Sequence, residues 1–332
     1  MNASGWYGGK TVVVSGASGY IAASLVERLA GVAAKVVRLS RRTLPPLDGC
    51  SDMTGDYADP EFWRRALLGA DVVFHLAAQT SFYKAASDPD ADFQANVLPM
   101  RALLEPCRRA ARRPFIVFAG SVTQAGLPRR MPSDGSEQDE PITVYDLHKL
   151  LAEKLLEGYA RQGLARGATL RLSNVYGPGP GSSSSDRGIL NAMLARALRG
   201  ERLSVYGTGE AVRDYLYIDD ISAAFLAAGG GADALNGRRF VLGSGRGVSL
   251  LESFRLAAAR VEAATGARVE VACVPEPPGL SPIESRKFTA DASAFRAATG
   301  WSAKIPLEEG LDLTIAALRA AAGRAAAGRR PG

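Results

Sequence analysis

The chain has little of what several common enzyme classes need. Its 332 residues include only three cysteines and two histidines. Cys50, Cys107 and Cys273 are odd in number and widely spaced, so they predict neither a disulfide framework nor a Cys-x-x-Cys site. His75 and His148 are too few for a multi-histidine zinc site. With only two histidines in the sequence, a serine–histidine hydrolase is also not favoured. The sequence therefore predicts no bound metal and a reducing environment.

Long apolar runs and blocks of like charge are also missing. No stretch approaches the ~18 apolar residues of a membrane span, and residues 1–10 lack the apolar region of a signal peptide. The 40 basic and 34 acidic residues give a net charge of +6, without the charge runs of a nucleic-acid-binding tail. We therefore expect a cytoplasmic protein with no membrane or nucleic-acid partner. The positive surplus fits either a phosphorylated ligand or a solvated surface.

Regular alternation of apolar and amphipathic segments is what the sequence does contain. Short apolar runs, such as Thr11–Ser15 and Phe115–Ala119, alternate with amphipathic stretches through residue 172. This pattern predicts βαβ units and a doubly wound α/β fold around a parallel sheet. We expect a dinucleotide-binding domain over 1–178 and a smaller, mainly substrate-binding domain over 179–332. Elements near 213–243 are expected to return to the first domain.

Three segments carry more local predictions. Residues Asp92–Ala111 are predicted to be helical, with a kink or break at Pro106, because proline cannot donate a helical hydrogen bond. Val144–Gln162 is predicted to form one long helix. Gly177–Gly188 is rich in glycine, proline and serine, which predicts a mobile loop.

A glycine-rich turn follows the first predicted strand. Gly16, Gly19 and Ala22 have the spacing Gly-x-x-Gly-x-x-Ala and open the next amphipathic stretch. Glycine allows the tight turn and the close approach of backbone N–H groups to a pyrophosphate, and the helix N-terminus favours negative charge. The segment therefore predicts a dinucleotide site, the alternative being an ordinary strand–helix turn.

The end of the second strand bears on the choice of cofactor. It reads Arg38-Leu-Ser40-Arg41-Arg42, without the carboxylate that would hold the ribose 2′-OH of NAD. A small polar residue beside two arginines suits the 2′-phosphate of NADP. The sequence therefore favours NADP over NAD, the alternative being a solvated basic loop.

One tyrosine–lysine pair has the spacing expected of a proton-transfer site. Tyr145 and Lys149 are four residues apart on a predicted helix, so their side chains share one face. A phenol with a pKa of about 10 is a poor base at neutral pH, and a nearby ammonium lowers that pKa. Ser121, just after the strand Phe115–Ala119, places a hydroxyl at the same edge of the sheet. The alternative is a surface tyrosine beside a solvated lysine.

These residues and several further motifs together resemble the extended short-chain dehydrogenase/reductase family, especially its nucleotide-sugar epimerases, dehydratases and ketoreductases. The resemblance covers about residues 10–315. Its motifs are Gly16-x-x-Gly19-x-x-Ala22, Gly55-Asp56, His75-Leu-Ala-Ala78, Asn96, Ser121, Tyr145-x-x-x-Lys149, Arg171-Leu-Ser-Asn174-Val-Tyr-Gly-Pro178, Val205-Tyr-Gly207 and Arg213-Asp-Tyr215.

The resemblance implies a role for each matching residue. Ser121, Tyr145 and Lys149 match the catalytic triad. The implied cofactor contacts are Gly16, Ser18, Gly19, Tyr20, Ile21, Ser40, Arg41, Arg42, Asp56 (at the adenine), Tyr57, Leu76, Ala77, Ala78, Asn96 (also supporting the active-site helix), Tyr145 and Lys149. The implied substrate contacts are Ser121, Asn174, Arg213 (at a diphosphate) and Arg286. For Arg213, a surface ion pair with Asp214 is the alternative.

Departures from the family pattern narrow the expected reaction. No carboxylate follows Ser121, so 4,6-dehydration lacks its acid and base, and Cys107 lies outside the loop where 3,5-epimerases carry a cysteine. The common Arg-x-Gly-Asp motif is absent. The resemblance then implies a 4-epimerase or an NADPH-dependent 4-ketoreductase that acts on a nucleotide-diphosphate sugar. Reduction of a non-sugar ketone or aldehyde, and a non-catalytic cofactor sensor, are the alternatives.

A homodimer is also implied by the resemblance. The pairing surface would be formed by the helices that carry Asn96 and Tyr145.

Overall fold

The computed structural model describes residues 3–33, 35–180 and 188–327. The strands in these ranges are β1 (Thr11–Ser15), β2 (Lys35–Ser40), β3 (Cys50–Thr54), β4 (Val72–His75), β5 (Phe115–Ser121), β6 (Arg166–Leu172), β7 (Asn174–Tyr176), β8 (Leu203–Tyr206), β9 (Val212–Tyr217), β10 (Arg239–Leu242), β11 (Gly247–Ser249) and β12 (Val271–Val274). The helices are α1 (Ala3–Trp6), α2 (Tyr20–Ala30), α3 (Pro60–Ala66), α4 (Phe82–Ser87), α5 (Pro89–Asn96), α6 (Leu98–Arg109), α7 (Val144–Arg161), α8 (Ile189–Leu198), α9 (Ile218–Gly230), α10 (Ala232–Leu235), α11 (Leu250–Thr265), α12 (Ser293–Thr299) and α13 (Leu307–Ala327). Short 3-10 helices span Val122–Ala125 and Pro282–Ser285.

A seven-stranded parallel sheet forms the centre of the molecule. Its strand order is β10-β6-β5-β4-β1-β2-β3. The chain moves outward from β1 through β2 to β3, and then returns to place β4 on the other side of β1. In such sheets the ligand crevice lies at the carboxyl ends of the strands where the order reverses. The predicted doubly wound α/β fold is confirmed.

Both faces of this sheet are buried, which explains why its strands are continuous apolar runs. In β1, Val12 and Val14 point into one core while Val13 points into the other, because successive strand side chains alternate. Helices α2 and α9 cover the first face, and α3, α6 and α7 cover the second. Each wholly buried valine contributes about 1.5–3 kcal/mol to stability.

The C-terminal part of the chain adds smaller sheets and one strand of the large sheet. β10 pairs with β6 at the sheet edge, while β11-β9-β7 and β12-β8 form separate sheets. A third core packs α8, α11 and α13 around these small sheets. The domain division at residue 178 stays a prediction. No helix in the described ranges is long and apolar enough to cross a membrane.

Two local predictions need correction. The predicted helix Asp92–Ala111 is two helices, α5 and α6, and the break lies at Val97 instead of Pro106. Pro99 falls in the first turn of α6, where no N–H is required, and Pro106 is tolerated in the same helix at the cost of one hydrogen bond close to its end. Strand β5 also runs two residues further than predicted, to Ser121. Of the loop predicted to be mobile, residues 181–187 lie outside the described ranges.

Candidate active site

The glycine-rich turn has the shape that a pyrophosphate requires. Gly16 has a φ of +69°, and a Cβ atom there would lie 2.8 Å from the backbone of Ala77. Glycine is therefore needed both for the backbone angle and for the close approach. Gly19 caps α2 without a side-chain hydrogen bond, so the N-cap itself does not occupy the N–H groups at the start of this helix. The turn fits the phosphates of a dinucleotide.

Ser15 links the end of β1 to the loop that follows β4. Its Oγ accepts hydrogen bonds from the backbone N–H groups of Leu76 (3.1 Å) and Ala77 (3.2 Å). The serine hydrogen is then left to donate to Nδ1 of His75, 2.8 Å away. Burial, with a smaller effect from the charge of Lys149, lowers the pKa of His75 to about 3, so the imidazole is a neutral acceptor. The hydrogen bonds from Leu76 and Ala77 to Ser15 hold these two predicted cofactor-lining residues at the end of β1, beside the glycine turn.

Tyr57 joins the glycine turn to the end of β2. Its hydroxyl donates to the carbonyl of Leu39 at 2.7 Å and accepts from the N–H of Gly16 at 3.0 Å. Burial raises the pKa of Tyr57, so the phenol keeps the hydrogen that it donates. The exposed carboxylate of Asp56 accepts from the backbone N–H of Ala58 at 2.9 Å. The adenine contact of Asp56 stays a prediction.

The end of β2 carries hydroxyl and guanidinium groups. Ser40 is buried, and its Oγ accepts from the backbone N–H of Arg42 at 3.1 Å. Arg41 and Arg42 are both exposed. The carboxylate of Asp52, on the neighbouring strand, is held by a two-bond contact with Arg38 at 2.6 and 2.7 Å. Positive charge therefore lies next to Ser40, and the contact of these residues with a cofactor stays a prediction.

The predicted proton-transfer pair lies at the start of α7, against the end of β5. Thr143 and Asp146 cap this helix reciprocally, and Tyr145 and Lys149 are both buried one turn apart. The Lys149 ammonium donates to the carbonyl of Ala119 at 2.5 Å and lies 4.1 Å from the centre of the Phe118 ring. The structure thus brings the helix of Tyr145 and Lys149 to the strand that ends at Ser121.

Ser121 lies in a local network that the sequence analysis missed. Its Oγ lies 2.8 Å from the hydroxyl of Thr123, and its backbone N–H donates to Oε1 of Gln124 at 2.6 Å. Ser121 and Gln124 have the Ser-x-x-Gln spacing of a capping box, which was the signal available in the sequence.

Asn96 connects three parts of the site. Its Nδ2 donates to the carbonyl of Gln79 at 3.0 Å and to one carboxylate oxygen of Asp92 at 2.9 Å. The other oxygen of Asp92 is 2.7 Å from Nδ1 of His148, which precedes Lys149 on α7. Asn96 is therefore linked to α7 through Asp92. Its contact with a cofactor stays a prediction.

Two of the predicted substrate residues, Asn174 and Arg286, meet from distant parts of the sequence. Nη2 of Arg286 donates to the side-chain oxygen of Asn174 at 3.1 Å. The alternative in which Arg213 pairs with Asp214 at the surface is wrong. Asp214 is buried and accepts instead from the backbone N–H groups of Ser244 and Ala290, at 2.7 and 3.0 Å.

Arg213 binds the segment 281–286, which also lies against Tyr145. Its terminal nitrogens donate to the carbonyl oxygens of Glu284 and Arg286, both at 2.7 Å, and to the Glu284 carboxylate at 3.2 Å. Ile283 of this segment packs in one buried cluster with Tyr145. The Arg213 side chain is only 3% exposed, and burial lowers the pKa of Arg213. The fork predicted for a diphosphate is therefore already engaged with the chain itself.

Comparison with known proteins agrees with this arrangement. Residues 12–243 match the family model for the NAD dependent epimerase/dehydratase family, which is more than half of the chain. The chain belongs to this family.

Similar proteins include a UDP-glucose 4-epimerase of Mycolicibacterium smegmatis, 29% identical over 91% of this chain and 96% of that protein. A crystal structure of the Thermotoga maritima UDP-glucose 4-epimerase with UDP-glucose has a TM-score of 0.83 and 28% identity, covering 94% of this chain and 99% of that one. The Thermus thermophilus UDP-glucose 4-epimerase in complex with NAD has a TM-score of 0.80 and 27% identity, over the same shares.

Membership of the epimerase/dehydratase family makes this chain an NAD(P)-dependent enzyme. The structure describes the environment of two positions where this sequence differs from the dehydratase and 3,5-epimerase patterns. The residues that follow Ser121 are the buried, uncharged Val122, Thr123 and Gln124, so no acid stands there to eliminate water. Cys107 is buried in α6, and burial raises its pKa to about 12, which leaves the thiol unreactive.

Proposed function

We propose that this member of the family is a 4-epimerase of a nucleotide-diphosphate sugar that keeps its nicotinamide cofactor bound. The observation that carries the proposal is the contact of the Lys149 ammonium with the carbonyl of Ala119 at 2.5 Å. This contact brings the Tyr145 helix to the strand that ends at Ser121, beside the cofactor-binding edge of the sheet. The relatives named as UDP-glucose 4-epimerases support the substrate class.

Each group of the site has a role in this reaction. A nicotinamide cofactor held at the Gly16–Gly19 turn would supply a reversible hydride acceptor for C4 of the sugar. Tyr145 takes the proton of the sugar 4-hydroxyl and gives it back, and the ammonium of Lys149 favours the phenolate form during that exchange. Ser121 donates a hydrogen bond to the same sugar oxygen. Asn174 and Arg286 bind the diphosphate side of the substrate.

Retention of the cofactor and turnover of a sugar test this proposal together. Protein purified without added cofactor is expected to release about one nicotinamide per chain on denaturation, because an epimerase regenerates its cofactor in each cycle. With UDP-glucose and related nucleotide sugars, NMR is expected to show inversion at C4 without added cofactor. A protein free of nicotinamide that inverts none of these sugars would contradict the proposal.

An NADPH-dependent 4-ketoreductase is the second candidate. The observation that favours it is the basic end of β2, where Ser40 stands beside the exposed Arg41 and Arg42. A ketoreductase uses NADPH as a substrate that leaves after each turnover. Consumption of NADPH at 340 nm with a nucleotide 4-keto sugar, by protein that carries no cofactor after purification, would identify this activity.

Preference for NADP(H) over NAD(H) is a further part of the proposal. A 2′-phosphate carries about two negative charges and gains charge-assisted hydrogen bonds of about 1.5–3 kcal/mol each from groups such as Arg41 and Arg42. We therefore expect NADP(H) to bind at least about tenfold more tightly than NAD(H), measured by calorimetry on cofactor-free protein. The variant Ser40→Asp with Arg41→Gln and Arg42→Gln is expected to reverse the order.

A charge control accompanies that measurement. Arg108→Gln with Arg109→Gln removes two exposed arginines from the end of α6, where both pair with Glu105. This variant should keep the NADP(H) preference. Tighter binding of NAD(H) by the unchanged protein would overturn the assignment.

Assembly as a homodimer through α5 and α7 is also proposed. Phe93 on α5 and Leu147 and Leu151 on α7 expose 38–43% of their surface, although all three are apolar. Apolar side chains grouped on neighbouring helices favour an interface. Light scattering should show twice the chain mass, and Leu147→Glu with Leu151→Glu should give the single-chain mass. The matched control Leu68→Glu changes an even more exposed leucine outside these helices and should leave the mass unchanged.

A further inference from the structure

Gln124 is a wholly buried polar residue whose amide is used at both ends. Its Oε1 accepts from the backbone N–H of Ser121 at 2.6 Å, and its Nε2 donates to a carboxylate oxygen of Glu153 at 3.0 Å. A Cβ atom at Gly120 would lie 2.8 Å from that Oε1, so the absence of a side chain at Gly120 makes room for the contact. A buried amide with both ends satisfied has one strongly preferred position.

The partner of Gln124 belongs to the helix that carries the proton-transfer pair. Glu153 follows Lys149 by four residues on α7, so both point from the same side of the helix. Its carboxylate is held by Arg171 of β6 at 2.5 and 2.9 Å. Arg171 also binds Asp139 at 2.6 and 2.9 Å. Burial opposes the charge of Arg171, but its two carboxylate partners outweigh this effect and raise the pKa of Arg171, so the guanidinium remains charged.

This arrangement addresses a geometric need of the site. Ser121 comes from β5, whereas Tyr145 and Lys149 come from α7, and both sets must meet one substrate oxygen. The hydrogen bond between Gln124 and Glu153 crosses from the Ser121 turn to α7. The Lys149 contact with Ala119 also crosses between these elements, but it holds the strand two residues before Ser121.

We propose that Gln124 is a positioning residue, which sets the place of the Ser121 hydroxyl relative to Tyr145 through its two hydrogen bonds. The inference rests on the proposed function, because it takes Ser121 as a group that contacts the reacting oxygen. Gln124 itself is assigned no contact with the substrate. Its effect on turnover passes through Ser121 alone.

A double-mutant cycle tests that dependence. Gln124→Leu removes both hydrogen bonds at similar volume and is expected to lower kcat about 10- to 100-fold with little change in KM, the effect of a small misplacement of a catalytic group. In a chain that already carries Ser121→Ala, Gln124→Leu is expected to cause no further decrease in kcat. Effects that multiply instead would overturn the proposal, because they would show that Gln124 acts independently of Ser121.

A variant at the far end of the same network serves as the control. Asp139→Asn weakens the contact with Arg171 without changing the Ser121 turn. It should therefore lower the thermal midpoint. Any decrease in kcat that it causes should multiply with the decrease caused by Ser121→Ala. If the effect of Asp139→Asn also vanishes in the Ser121→Ala chain, the coupling belongs to the whole network and the proposal for Gln124 is wrong. Gln124→Met, which is unbranched and flexible, replaces Gln124→Leu in the cycle if the leucine variant does not fold.

Failure of this inference is distinguishable from failure of the proposed function. If Ser121→Ala keeps full turnover, the role of Ser121 in the reaction is wrong. If Ser121→Ala is slow while Gln124→Leu and Gln124→Met both keep full turnover, the role of Ser121 stands and only the positioning role of Gln124 is overturned.

Discussion

Replacing Tyr145 with phenylalanine is expected to lower turnover by at least about 10²–10⁴-fold, the contribution typical of a positioned acid–base group. The phenol is the group to which we assign proton exchange with the sugar hydroxyl, so its removal leaves that step without its assigned acid and base. Steady-state kinetics on the nucleotide sugar that the enzyme turns over measures the effect. Nicotinamide content after purification should stay close to that of the unchanged protein.

The same substitution separates chemistry from folding. Tyr145 packs in a buried cluster with Phe82, Ala85 and Ile283, and a phenyl ring retains that packing. The thermal midpoint of Tyr145→Phe should therefore lie within a few degrees of the unchanged protein. Near-full activity of Tyr145→Phe would show that the proton is moved by another group, and the catalytic assignment would be abandoned.

Removing the guanidinium of Arg213 is expected to weaken binding of the nucleotide-diphosphate substrate by about 2–5 kcal/mol, the range for truncating one partner of a buried charged contact. Two routes lead to this loss: the direct contact with the diphosphate that the resemblance implies, and the contacts that hold the segment 281–286 beside Tyr145. Calorimetry with the substrate nucleotide and, separately, with NADP measures it. Cofactor affinity should hardly change, because the glycine turn and Ser40 lie elsewhere. Equal loss of both affinities would show that Arg213→Ala disturbs the fold generally.

A second variant divides the two routes. Glu284→Gln removes the charge that faces Arg213 but leaves the backbone carbonyls of Glu284 and Arg286 as its acceptors. If Arg213 meets the diphosphate directly, loss of the competing carboxylate should keep or increase substrate affinity. Glu284→Gln could instead lower the affinity for the substrate as strongly as Arg213→Ala does. The ion pair between Arg213 and Glu284 would then account for the loss of affinity, and direct contact of Arg213 with the phosphate would be contradicted.

The features that the sequence alone determined are those that lie within a few neighbouring residues. Apolar runs alternating with amphipathic stretches predicted the doubly wound sheet, because strand and helix periods are local. The Gly16–Gly19 turn was recognisable because the sequence shows both the glycines that permit a tight turn and their place between a predicted strand and a predicted helix. The spacing of Tyr145 and Lys149 predicted one shared helix face for the same reason. Gln124 also carried a local signal, the Ser-x-x-Gln spacing, which names its cap on Ser121 but not its bond to Glu153.

Only the tertiary structure decided which groups meet across the sheet. The partner of Arg213 is 71 residues away, and the bonds of Ser15 to His75 and of Gln124 to Glu153 span 60 and 29 residues. The sequence does not distinguish a charged or polar side chain that faces a ligand from one that faces another side chain or water. Strand order and helix packing place one partner within reach, and burial then strongly favours that pairing, because an unpaired polar group removed from water costs free energy.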